Sequence, residues 1–328
     1  MNLVTGANGF VGAAVVRALA ARGEPVRALV RPGSNTLNRD ELPAEIVRGD
    51  ITDPATLVPA ARGCSAVFHV AADYRLWVPD EDAMYATNVD GSVKVLESAA
   101  TAGVERMVYT SSVAVLGINA DGQPANEQTP VAESDMIGPY KRSKFLAERA
   151  VREAADRLGF PVVTVNPSTP IGPGDFRPTP TGRIIVDAAS GRMPAYVDTG
   201  LNIVHVDDVA NGHLLARDRG QPGERYILGG ADMTLKQILI TVARHCGRRP
   251  PIVRLPRAAV YPVAVIGETF ARVFGTEPLV TRDELRMASK HMYFSSDKAE
   301  AALGYRFRPA EDAIVDALTW FREHDVIR

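Results

Sequence analysis

Cysteine is almost missing from this 328-residue chain, with Cys64 and Cys246 the whole complement. Two thiols build neither a disulfide framework nor a cysteine metal set, so no metal is expected and a reducing compartment fits. Charge of either sign is not in excess: 37 Lys and Arg stand against 39 Asp and Glu, a net charge of −2. That balance excludes a general pull toward nucleic acid or an anionic membrane. No run reaches the roughly 18 apolar residues of a membrane span. Met1-Asn2-Leu3-Val4-Thr5 enters an apolar strand directly, without a basic segment ahead of an apolar core, so a cytoplasmic protein is expected. Internal repeats, charge blocks and low-complexity tracts are also missing. With 46% hydrophobic and 23% charged residues, what remains is a globular chain long enough for one large or two modest domains.

Glycine is present where it carries chemistry. Leu3-Val4-Thr5 reads as a strand and Ala13 to Arg22 as a helix, joined by Gly6-Ala7-Asn8-Gly9-Phe10-Val11-Gly12. Glycines spaced three apart between a strand and a helix give a tight turn, close backbone approach and helix-terminal N–H groups aimed at a pyrophosphate. The second strand, Val26 to Val30, ends on Arg31-Pro32-Gly33-Ser34. An acidic residue there would accept the ribose hydroxyls of NAD. Arg31 instead matches a 2′-phosphate in charge and fork geometry, with Ser34 and Arg39 as helpers, so NADP is favoured over NAD.

Glu45 to Asp53 reads as a strand ending in a loop, with Asp50 and Ile51 at the adenine and Asp53-Pro54 as a helix start. Ala66 to Ala72 is a buried strand in which Ala71 and Ala72 let a cofactor lie close, and His69 reads as a packing residue. The loop Asp73-Tyr74-Arg75-Leu76-Trp77 follows at the carboxyl edge of that strand, where open α/β sheets bind ligands. Tyr74 and Trp77 are therefore candidate substrate contacts. Asn88 falls in a helical stretch, where it would orient backbone or satisfy a core carbonyl. Arg106 to Ser112 is a strand ending in the hydroxyls of Thr110, Ser111 and Ser112. Ser112 is the candidate for holding a substrate carbonyl oxygen.

Gly138-Pro139-Tyr140-Lys141-Arg142-Ser143-Lys144 sets Tyr140 and Lys144 four residues apart. Pro139 suits a first helical position, and Lys141 to Ala154 then reads as a helix, so the two share a face. A nearby cation is expected to lower the phenol pKa toward the range useful for general acid–base work.

Thr5 to Gly12, Thr110-Ser111-Ser112, Tyr140 with Lys144, Asn166-Pro167 and His205-Val206-Asp207-Asp208-Val209-Ala210 follow one another in the order of the extended short-chain dehydrogenase/reductases, which the sequence resembles throughout. More narrowly, Ala71 to Trp77, Gly138 to Lys144, Asn166 to Gly172 and Thr181-Gly182-Arg183 resemble the hopanoid-associated sugar epimerase family, itself similar to dihydroflavonol reductases. The resemblance implies Tyr140 as acid/base, and Lys144 as holder of the nicotinamide ribose that also lowers the Tyr140 pKa. It implies Ser112 as positioner of the reacting oxygen and Pro167 with Ser168 as the nicotinamide lining. Thr110 joins the cofactor set, and Asn166 and Arg183 the candidate substrate contacts. It also implies that His205 fixes a strand-to-helix turn, and that helices carrying Asn88 and Tyr140 form a homodimer.

Pro and Gly become frequent after Pro167. The expected fold is therefore a doubly wound parallel Rossmann sheet over residues 1–168, receiving about 201–217, with a smaller α/β substrate domain over most of 169–328. Pro256 to Phe274, apolar and interrupted by Pro262 and Gly267, reads as a packing or dimer element, with a membrane surface as the alternative. Three functions stay open. A reductase would pass hydride from NADPH to a carbonyl, in hopanoid-related metabolism by resemblance. An epimerase would keep NAD bound and act on a sugar, and a regulator would sense the cofactor without chemistry. Ser111-Ser112-Val113 stands where 4,6-dehydratases resemble Thr-Asp-Glu, which removes the carboxylates that eliminate water. The partner is a small molecule, sugar- or lipid-linked; no nucleic acid is expected.

Overall fold

The computed structural model describes residues 1–34, 42–78, 80–274, 276, 278 and 281–327; Arg39 lies outside them. The chain opens with β1 (Asn2–Thr5), α1 (Phe10–Ala21), β2 (Val26–Val30), β3 (Glu45–Arg48), α2 (Pro54–Ala61) and β4 (Ala66–His69). After α3 (Glu81–Tyr85) comes a π-helical turn, Ala86–Asp90, that runs on into α4 (Gly91–Thr101). β5 (Arg106–Thr110), α5 (Gly138–Leu158), β6 (Val162–Pro167), β7 (Thr169–Ile171), α6 (Pro180–Ala189) and β8 (Ala195–Tyr196) follow. β9 (Gly200–His205), α7 (Val206–Arg219), β10 (Arg225–Leu228), β11 (Ala231–Thr234), α8 (Leu235–His245) and β12 (Val253–Arg254) come next. The last elements are α9 (Arg257–Phe274), α10 (Arg282–Met287), β13 (His291–Met292), α11 (Asp297–Leu303) and α12 (Ala310–Glu323).

Seven strands form one all-parallel sheet in the order β10-β6-β5-β4-β1-β2-β3. Val4, Phe68, Val108, Val163 and Val165 are fully buried, as parallel strands covered by helices on both faces require. The order reverses between β1 and β4, so the chain leaves these two neighbours toward opposite sides and a crevice opens at their carboxyl ends.

β9 is the middle of a second, four-stranded sheet. It pairs antiparallel with β11 on one side and parallel with β7 and β13 on the other.

Two expectations need correction here. Of the stretch assigned back to the first domain, α7 packs on α1, but β9 belongs to the small sheet. β10, assigned to the substrate domain, is instead an edge strand of the large sheet, its Arg225–Leu228 paired with Thr164–Pro167. The pairing partner of a short apolar strand is set by distant backbone, which its own residues do not name.

The Pro256–Phe274 stretch is one helix rather than an interrupted segment. Pro262 forfeits a single backbone bond in its second turn, and Gly267 fits the helix at modest cost. α9 buries a narrow stripe, Ala264, Glu268 and Ala271, while Tyr261, Val263, Ile266 and Phe270 face solvent. No helix among the described residues is long and apolar enough to cross a membrane.

Candidate active site

The turn after β1 is shaped by what a side chain would strike. Gly6 has φ +66°, and a Cβ there would lie 2.7 Å from the Ala71 nitrogen. A Cβ on Gly12 would come within 2.1 Å of the Gly6 carbonyl oxygen. The loop thus folds onto itself and onto the end of β4. Gly9 caps α1 with no side-chain hydrogen bond, and no acidic residue stands in the first turn. The N–H groups of that turn, with the positive end of the helix dipole, are left to an external anion. Asn8, Phe10 and Val11 are half-buried around this mouth, as are Ala71 and Ala72. These residues fit the pyrophosphate of a dinucleotide.

Arg31 follows β2 and is exposed, with Ser34 Oγ donating to its carbonyl at 2.8 Å. At Asp50, burial works against the charged form, yet two bonds from Thr52 and the charges of Arg31 and Lys94 hold the carboxyl below its usual range. Asp50 Oδ1 is committed to the Thr52 N–H and hydroxyl, at 2.8 and 2.7 Å. Ile51 beside it is buried.

At the other end, the N-terminal turns of α5 meet the loop after β5. Tyr140 is half-buried and its phenol lies close enough to Ser112 for that hydroxyl to act on it; Ser112 Oγ itself accepts from Ala114 N at 3.1 Å. Lys144 is 3% exposed and donates to the Thr110 carbonyl at 2.8 Å and the Tyr109 hydroxyl at 3.3 Å. The structure brings Ser112, Tyr140 and Lys144 to one place but corrects the expected pKa shift. Burial pushes the Tyr140 phenol above its ordinary value, against the downward pull of the Ser112 bond. The Lys144 ammonium, turned to Thr110 and Tyr109, is itself pulled down to about 8 by burial, with Glu148 opposing. The phenol therefore holds its proton at neutral pH.

Supporting contacts fix this geometry. Thr110 spends its own hydroxyl on His213 Nε2, 2.9 Å away, so its part in the site is the carbonyl that orients Lys144. Asn166 is fully buried, and its Nδ2 donates to the Ser112 carbonyl at 3.0 Å and Glu148 Oε2 at 3.1 Å. Its Nδ2 thus positions Ser112, while its buried Oδ1 has no hydrogen-bond partner among the described residues. Asn88, inside the π-helical turn, accepts from Asp73 N at 2.7 Å and donates to Asp73 O and Ser143 Oγ at 2.9 Å each. Ser143 in turn donates to the Tyr140 carbonyl. One amide thus ties the Asp73–Trp77 loop to the helix carrying Tyr140.

His69 bridges Thr5 Oγ1 and Ser92 Oγ at 2.7 and 2.9 Å, and His205 Nδ1 accepts from Asp207 N at 3.0 Å. Both are structural. Pro167 is buried and Ser168 follows it, with a buried Oγ that has no hydrogen-bond partner. An orphan hydroxyl beside the nicotinamide lining fits a polar cofactor group.

A cavity of about 640 Å³ lies between Trp77, Pro139, Glu268 and Arg282. It runs from the Asp73–Trp77 loop to α9 and α10 and borders the residue before Tyr140. Tyr74 is 45% exposed, and Arg183 sits on the exposed face of α6. Sequence reasoning missed Asp175, which is 3% exposed. Burial pushes it up to about 6 against the N–H and hydroxyl of Thr179, and its charge reaches Tyr74. A Cβ on Gly182 would fall 2.0 Å from its Oδ2. The glycine ahead of Arg183 was thus the trace of Asp175 in the sequence.

A parallel sheet in this order, a glycine turn opening α1 and a Ser-Tyr-Lys set at the crevice define an NAD(P)-dependent enzyme of the extended short-chain type. Residues 2–229 match the NAD dependent epimerase/dehydratase family, and the chain belongs to it. A Synechocystis sp. protein assigned by name to dihydroflavonol 4-reductase is 44% identical, over 99% of this chain and 95% of its own. Sterol demethylase protein B of Methylococcus capsulatus is 36% identical over 99% of both chains. The crystal structure of gox2253 superposes with a TM-score of 0.90 at 54% identity, covering 100% of this chain and 99% of that one.

Proposed function

We propose that the protein is an NADPH-dependent reductase of a ketone or aldehyde on a hydrophobic, hopanoid-related molecule. The observation that carries this reading is Arg31, standing directly after β2 where an acidic side chain would repel a 2′-phosphate. The protonated Tyr140 supports it, since a reductase needs an acid at the moment hydride arrives. The names of the two relatives, a flavonol-type reductase and a sterol-processing protein, support the substrate class.

A nicotinamide cofactor held at this site would supply hydride to the carbonyl carbon. Ser112 donates a hydrogen bond to the carbonyl oxygen, and Tyr140 gives that oxygen its proton as negative charge builds there. Lys144, one helical turn along α5 and anchored to the Thr110 carbonyl, would hold the nicotinamide ribose and favour the phenolate by its charge. Gly9 to Gly12 would hold the pyrophosphate, Arg31 the 2′-phosphate, and Pro167 with Ser168 the nicotinamide. The Asp73–Trp77 loop with Tyr74 and Trp77, and α6 with Arg183, flank the substrate. A homodimer in the cytoplasm completes the proposal.

Titration of nucleotide-free protein with NADPH and NADH, alongside Arg31→Asp, tests the reading. A preference for NADPH of at least tenfold, about 1.4 kcal/mol, that the variant loses is the expected result. Equal binding, or NAD that cannot be stripped off, would instead favour the epimerase that the family name allows.

A further inference from the structure

Lys141 follows Tyr140 on α5 but points elsewhere. It is 7% exposed and lines a second cavity, of about 140 Å³, together with Ala114, Ile137, Met292 and Lys290. Among the described residues, no hydrogen bond or ion pair holds the Lys141 ammonium, and the charge that acts on it is that of Lys290. Two cations thus face one small cavity without an anion between them. Asp135 borders the same space, but its carboxylate is turned to the Ala132 N–H, 2.9 Å away. Burial and Lys290 together pull Lys141 down to about 8. A nearly buried ammonium facing a second cation is costly unless something negative shares the site.

The cavity is lined from both elements that carry the reacting pair, although Ser112 and Tyr140 themselves do not line it. Ala114 is held by Ser112 Oγ, and Lys141 is the neighbour of Tyr140 in the chain. We propose that Lys141 and Lys290 form an oxyanion-binding subsite that takes a carboxylate of the substrate, so that the reacting molecule is a keto acid rather than a neutral ketone. Three donors on each ammonium suit a compact anion approached from two sides. A free phosphate satisfies the same chemistry and is the other source to be tested. The subsite stands on its own geometry; only its link to substrate rests on the reductase reading.

The test is a thermal-unfolding series on the full chain saturated with NADP⁺, at constant ionic strength, with acetoacetate, inorganic phosphate or neutral methyl acetoacetate added. It needs no turnover, so a failure of the reductase reading leaves it intact. Acetoacetate at several times its dissociation constant is expected to raise Tm by about 1–2 °C, and methyl acetoacetate is not. Lys141→Met should abolish the rise, Lys141→Arg restore part of it, and Lys290→Met, at an exposed position, weaken it without disturbing the fold. A rise with phosphate but none with acetoacetate would keep the subsite and assign it to a free anion. Equal shifts from the ester and the acid, or undiminished shifts in both Met variants, would overturn the proposal.

Discussion

Phenylalanine at position 140 would keep the ring in its place and remove the one hydroxyl that joins Ser112. Tyr140→Phe is expected to lower turnover by about 10²–10⁴-fold while leaving NADPH affinity unchanged; loss of nucleotide binding in fluorescence titration would refute the assignment. Ser112, Tyr140 and Lys144 were legible in the sequence because their roles depend on residue type and a four-residue spacing. The direction of the Tyr140 shift was not, because it depends on burial and on where the Lys144 ammonium turns. Lys141 was illegible for the same reason. In Tyr140-Lys141-Arg142-Ser143-Lys144 it reads as one more solvated cation, and only the fold removes it from water. Asn166 was legible only in part: its place in the matched segment marked it, but the commitment of its Nδ2 to the Ser112 carbonyl and Glu148 depends on packing that its residue type does not report.

At the scale of elements, the glycine turn is the most exacting joint. Gly12→Ala would press a methyl against the Gly6 carbonyl, so α1 must draw back from the loop. The expected outcome is a loss of about 1–3 kcal/mol in stability and nucleotide binding at least tenfold weaker, about 1.4 kcal/mol. Calorimetry and titration on one preparation would measure both, and wild-type affinity would show that the helix terminus does not carry the pyrophosphate. This joint was readable because glycine spacing between a strand and a helix reports backbone geometry directly. The π-helical turn at Asn88 was not: it coincides with the bond from Asn88 to Ser143, a contact across 55 residues of chain.

For the molecule as a whole, His69 and His213 make stability depend on pH. Burial holds His69 down at about 3, helped by the Lys144 charge, and His213 down at about 4, with the Val209 carbonyl opposing. In the unfolded chain both titrate near 6.5. Between that value and the folded ones the unfolded state binds more protons, so the favourable contribution is present above pH 6.5 and drains away as pH falls. Each histidine then costs about 1.4 kcal/mol per pH unit. Urea unfolding at pH 7.5, 6 and 5 should show stability falling below 6.5, and a flat profile would contradict the buried neutral rings.

The strand order of the large sheet carries one more consequence, for evolution and engineering. Because β10 returns to cover the outer edge of β6, a gene fragment ending just after β6 would present that strand as a bare, apolar edge. Such edges recruit strands from other chains. The two halves are therefore not exchangeable modules: a chimera that swaps the substrate-binding half must also carry a strand fitted to the first, and grafting will succeed only at junctions that respect this crossing.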